Sequence, residues 1–155
     1  MRRGLDTNVL VYTHMAAMPD HETVRRFLHA QLHDSAVILV VTAQILHEFV
    51  HVVTDPRRFE PPVAMAEALA IARLYLDRTN VDCVVTDAAC VREAFALLEQ
   101  HALGRNRIAD TLFAATLLHH DVHEVITCNP SDFQGFERLT VIDPRASASD
   151  LPTLA

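Results

Sequence analysis

The residues best suited to chemistry in this chain are acidic and far apart: Asp6 in LDTNVL, Glu48 in ILHEFV, Asp110 in RIADTLFAA and Asp132 in TCNPSDF. The first three have apolar neighbours. A carboxylate facing such neighbours without a cation is penalised by several kcal/mol or holds its proton. The chain offers little to neutralise it, because it has no Lys and all 13 basic residues are Arg. A divalent cation is the natural compensator. Oxygen donors alone suit Mg²⁺, with Mn²⁺ as a substitute, and the waters that such ions retain are a source of nucleophile. Taken singly, each acid also has an ordinary explanation: a turn cap for Asp6, a helix dipole for Asp110, a loop acid for Asp132.

A second chemistry competes for Glu48. QILHEFVH contains HExxH, so on a helix His47 and His51 share a face and could grip zinc with Glu48 as general base. The extended HExxHxxGxxH form is absent, since the chain continues VVTDPRRF. A third ligand would have to come from elsewhere, with Glu67 a candidate by spacing only. Ten histidines make a chance match unsurprising, and zinc leaves Asp6, Asp110 and Asp132 unexplained. Glu48 is therefore assigned to the acids.

These side chains need elements to position them. A buried strand ends near Leu5, with a turn at Asp6. Asp20 is expected to cap a helix from His21 to His33. Val37 to Val41 is apolar and β-branched, as in a strand covered on both faces. Thr42 caps a helix through Val53 that carries Glu48, and the prolines of DPRRFEPP break it. A helix over Val63 to Arg78 follows, then a strand over Asp82 to Val85 and a helix over Ala88 to His101 capped by Asp87. Gly104 closes the next connection. Arg107 to His119 is helical, and Glu124 to Thr127 and Leu139 to Ile142 are strands. Short strands alternating with helices specify an α/β fold, a mostly parallel sheet covered by helices on both faces. In such sheets, sites form beyond the carboxyl ends of the strands, where all four acids fall.

With 155 residues, half of them apolar, the chain is expected to form one globular domain. Without Lys it lacks a Walker A loop and Schiff-base chemistry, and a carboxylate-based phosphotransferase is disfavoured. Cys83, Cys90 and Cys128 show no CxxC spacing and read as thiols rather than as a disulfide or zinc framework. No apolar run is long enough to cross a bilayer. Asp6 and Asn8 interrupt the stretch a secretory signal needs, so a soluble, cytoplasmic protein without membrane contact is expected.

LDTNVLVY, ILHEFV, RIADTLFAAT and ITCNPSDF, in that order, resemble the motifs of PIN-domain nucleases, especially the VapC-type toxins of bacterial toxin–antitoxin pairs. The resemblance runs from Gly4 to about Pro144, giving one PIN-like, Rossmann-like domain over residues 1–144 and a loose tail over 145–155. It implies an acidic Mg²⁺ site made of Asp6, Glu48, Asp110 and Asp132. Asp6 and Asp110 hold the metal most directly, and Thr7, Asn8, Thr111 and Asn129 support them; Asn129 and Asp132 compete for the fourth position. It further implies an endoribonuclease that cuts unpaired RNA, a cognate antitoxin protein covering the site, and a homodimer built through helices.

A net charge of −7 opposes broad electrostatic binding of RNA. Contact is instead expected from a local patch of Arg57, Arg58, Arg105 and Arg107. A catalytically silent PIN-like module that binds RNA or a partner is the competing reading.

Overall fold

The protein is described by a computed structural model over residues 1–146. Five strands, β1 (Arg2–Leu5), β2 (Ile38–Thr42), β3 (Val81–Val84), β4 (Glu124–Ile126) and β5 (Thr140–Ile142), form one sheet in the order β3-β2-β1-β4-β5. Every pairing is parallel. Successive residues of a strand point to opposite faces. Gly4 and Leu5, Leu39 to Val41, and Val125 with Ile126 are all buried, so helices cover both sides. Six helices do so: α1 (Thr7–His14), α2 (His21–His33), α3 (Ala43–Val53), α4 (Met65–Leu76), α5 (Ala88–Gln100) and α6 (Ile108–His119). None is long and apolar enough to cross a membrane.

Local chemistry explains the helix starts and corrects two expectations. Thr42 caps α3 by accepting from the Ile45 amide at 3.3 Å. Asp87 caps α5 by accepting from the amides of Ala89 and Cys90 at 2.9 and 3.0 Å. Asp20 does not cap α2: its backbone is left-handed, with φ 58°, and its side chain makes no cap bond. The segment after Asp6 continues past a turn into α1. Asp6 holds the N-cap position with extended backbone, yet its carboxylate leaves the helix amides and turns to side chains across the sheet. Gly104 precedes a short 3₁₀ turn, Arg105–Arg107, that feeds directly into α6.

Gly4 marks the closest approach of helix and sheet. A Cβ there would collide with Cδ1 of the buried Leu117 on α6 and lie 2.8 Å from its Cδ2, so any larger residue must push that packed side chain aside. Of the expected tail, residues from 147 onward lie outside the described residues. Arg145 is held in place, donating to the Cys128 carbonyl at 2.6 Å and pairing with Asp143 at 2.8 Å.

Candidate active site at the carboxyl rim of the sheet

The strand order reverses direction at β1, which has β2 on one side and β4 on the other. This reversal marks the place beyond the strand ends where open α/β sheets put their sites. Asp6 follows β1, Thr127 to Asn129 follow β4, and Asp132 ends a 3₁₀ turn just beyond. Glu48 comes from the second turn of α3 and Asp110 from the first turn of α6. A cavity of about 280 Å³ is lined by Asp6, Glu48, Asp110 and Asp132 together with Asn129 and Arg58. A smaller cleft of about 70 Å³ adjoins it, again with Asp6, Glu48 and Asp110 on its wall. Carboxylates from widely separated stretches of the chain thus share one space.

Asp6 is the most enclosed of them, 7% exposed. Its Oδ2 accepts from Asn8 Nδ2 at 2.7 Å and from Thr127 Oγ1 at 2.8 Å. Asn8 is fixed in turn, because its Oδ1 accepts the Cys128 amide at 2.9 Å. Thr7 donates its hydroxyl to Glu48 Oε2 at 2.9 Å. The motif after β1 therefore orients two acids, Asp6 through Asn8 and Glu48 through Thr7.

Burial pushes the Asp6 carboxyl up to about 7. The Thr127 hydrogen bond opposes the rise, as does the Thr7 amide, while the charges of Asp110 and Glu48 add to it. Asp110 is raised to about 6, first by burial and then by Asp132 and Glu48, with Arg107 pulling the other way. The Asp6 donors, Asn8, Thr127 and the Thr7 amide, are all neutral, and among the described residues Asp6 has no ion pair. Arg107 is only a loose partner to the other acids: its Nε lies 3.9 Å from both Asp110 Oδ2 and Asp132 Oδ1.

A hard dication fits this donor set. The site offers carboxylate oxygens, wet access, and acids whose charge is neither neutralised nor fully solvated. Among the described residues, the trio of His, Cys, Asp or Glu ligand atoms lying within 4.8 Å of one another is found elsewhere, at Asp87, Cys90 and His119.

Some expected residues take other roles. Thr111 is fully buried, lines neither cavity, and its hydroxyl has no hydrogen-bond partner. Asn129 lines the large cavity, and its amide donates to Thr127 Oγ1 at 2.9 Å. Arg58 reaches the cavity, whereas Arg57 is exposed and paired with Asp55 at 3.1 Å. Arg105 is exposed on the 3₁₀ turn. Arg107 faces inward, with a buried Nε and a bond from its guanidinium to the Asp132 carbonyl. The zinc reading gains no support: among the described residues, His47 and His51 share no group of three His, Cys, Asp or Glu ligand atoms within 4.8 Å of one another.

Thr127 is the functional side chain that sequence reasoning passed over. It is fully buried at the end of β4, donates to Asp6 and accepts the Asn129 amide. A lone hydroxyl at the carboxyl end of an apolar strand, ITCN, was the available signal.

The PIN domain model matches residues 5–139. Ribonuclease VapC24 of Mycobacterium tuberculosis is 27% identical over 144 residues, spanning 93% of this chain and 97% of the relative. Ribonuclease VapC33 of the same organism is 27% identical over 142 residues, spanning 90% and 95%. Among solved structures, Mycobacterium tuberculosis VapC20, described as a sarcin–ricin loop cleaving toxin, superposes with a TM-score of 0.63 at 14% identity, covering 98% of both chains. VapBC-1 from nontypeable Haemophilus influenzae gives 0.62 at 21% identity, covering 94% of this chain and 99% of that one. The structural likenesses show a shared fold. With a family model spanning most of its length and the motif acids of that fold gathered in one crevice, the chain belongs to the PIN-domain family.

Proposed function

We propose that this chain is a metal-dependent endoribonuclease, the toxin of a toxin–antitoxin pair, which hydrolyses RNA phosphodiesters in the cytoplasm. The observation that carries the reading is the shared crevice that brings Glu48, Asp110 and Asp132 together around the buried Asp6. Carboxyls raised to about 7 and about 6, chiefly by burial and further by one another's charge, have the electrostatics that a dication would relieve. Asp6 and Asp110 would hold Mg²⁺, or Mn²⁺ in its place, with Glu48 and Asp132 gripping a second ion or its waters. Bound there, the metal polarises the phosphodiester and acidifies water.

The chain's own groups do the rest. Thr127 and Asn8 keep Asp6 Oδ2 aimed and favour its ionised form. Thr7 occupies Glu48 Oε2 and so leaves Oε1 to take a proton from the attacking water. Arg107 tempers the repulsion between Asp110 and Asp132. Arg58, the arginine on the cavity wall, is placed to meet a phosphate of the RNA. This local contact answers the net charge of −7.

The curated relatives carry the name ribonuclease, and several similar structures are toxin–antitoxin complexes, one of them bound to promoter DNA. By that analogy a cognate antitoxin protein covers this crevice, and the toxin pairs as a homodimer through its helices. The test incubates purified protein with mixed RNAs and Mn²⁺, with and without chelator, beside Asp6→Asn and Asp110→Asn variants checked for folding by circular dichroism. Cleavage that needs metal and vanishes in both variants is expected. Full activity in either variant would overturn the site assignment. Folded protein that binds RNA but never cuts it would favour the silent-module reading.

A further inference from the structure

We propose a second metal site, remote from the acids, where Asp87, Cys90 and His119 bind a thiophilic divalent ion of the Zn²⁺ class and staple α5 to α6. A carboxylate oxygen of Asp87, the thiol sulfur of Cys90 and a ring nitrogen of His119 all lie within 4.8 Å of one another. The three come from two helices. Asp87 and Cys90 sit at the start of α5, and His119 is the last residue of α6.

Each group has coordinating capacity left. Asp87 gives Oδ1 to the amides of Ala89 and Cys90, and its carboxylate also takes a hydrogen bond from the Cys90 thiol, which a metal bridging the two would replace. The ring nitrogens of His119 make no hydrogen bond among the described residues, and its ring meets that of His120 edge to face. Cys90 is buried, while Asp87 and His119 are exposed to solvent.

The donor set decides the metal. Mixed sulfur, nitrogen and oxygen ligands select Zn²⁺ or its spectroscopic substitute Co²⁺ over the hard ions suited to an all-oxygen crevice. On coordination the thiol would give up its proton to solvent. Three protein ligands leave the fourth position to water. The consequence is mechanical: an ion here locks one end of the α5–α6 pair, whose other end leads through Gly104 and Arg107 to Asp110.

The experiment titrates Co²⁺ into the full chain carrying Cys83→Ser, which removes the exposed thiol. A thiolate-to-cobalt absorption band should appear at one ion per chain and be displaced by Zn²⁺. Oxygen-only binding at the acidic crevice produces no such band, so Asp6→Asn should leave it intact. Adding Cys90→Ser should abolish the band. Adding His119→Ala, at an exposed position that leaves folding undisturbed, should weaken Zn²⁺ binding by at least about 100-fold, the upper end of what losing a supporting ligand partner costs. A Cys83→Ser chain without the band overturns the proposal, as does a band that survives Cys90→Ser or a Zn²⁺ affinity unchanged by His119→Ala.

Discussion

Replacing Asp6 with asparagine should make the metal-free protein more stable at alkaline pH while destroying the site. Folded Asp6 titrates at about 7 against an ordinary value of 3.8, chiefly because it is buried. A carboxyl raised in the folded state binds more protons there than when unfolded. Its contribution is present in full below the unfolded value and is lost as pH climbs through the folded one. Between about pH 5 and pH 7 the wild type therefore loses roughly two pH units of linkage, or ~3 kcal/mol at 1.36 kcal/mol per unit. The neutral amide of the variant cannot ionise and is spared this loss. Rearranged hydrogen bonds to Asn8 and Thr127 shift both ends of the comparison equally, so the change in the difference is the clean quantity. Urea denaturation of both proteins in chelator at about pH 5 and pH 8 measures it. The variant should gain ~3 kcal/mol relative to wild type across that interval, and saturating Mn²⁺ should reverse the gain by stabilising only the wild type. A stability difference that stays constant across the interval would refute the claim that Asp6 is a buried acid in want of a cation.

Two further outcomes follow from the same geometry. Mn²⁺ must displace protons from Asp6 and Asp110, so binding should tighten as pH rises through 6 to 7 and release protons, seen as a calorimetric enthalpy that tracks the buffer's ionisation heat; Asp6→Asn should release fewer. Gly4→Ala forces a methyl into the side chain of Leu117, 2.8 Å from its Cδ2, and overpacking of this kind costs about 1–3 kcal/mol in urea melts.

Much of this molecule can be read from residue order alone. The apolar runs around Val37 to Val41 and Glu124 to Thr127 announce strands buried on both faces, because burial and side-chain branching are written locally. Thr42 and Asp87 announce helix starts for the same reason, since a cap bonds amides two or three residues away. The acids in their apolar settings signalled a need for a cation because desolvation is a property of near neighbours as well as of the fold.

What the sequence left open depended on contacts across the sheet. Asp20 has a cap's residue type, but its left-handed backbone belongs to the turn preceding α2. Asp6 departs from capping because Thr127 and Asn8 are waiting at the crevice. Arg107 reads as a surface arginine, yet the entry into α6 turns it onto Asp110 and Asp132. Thr127 and the Asp87–Cys90–His119 notch could not be found by spacing, since their partners lie 121 and about 30 positions away. Residue types determined which groups would need a partner. Which partners they received was decided by strand order and helix packing, because charge and hydrogen bonds act over a few ångströms of space however long the intervening chain.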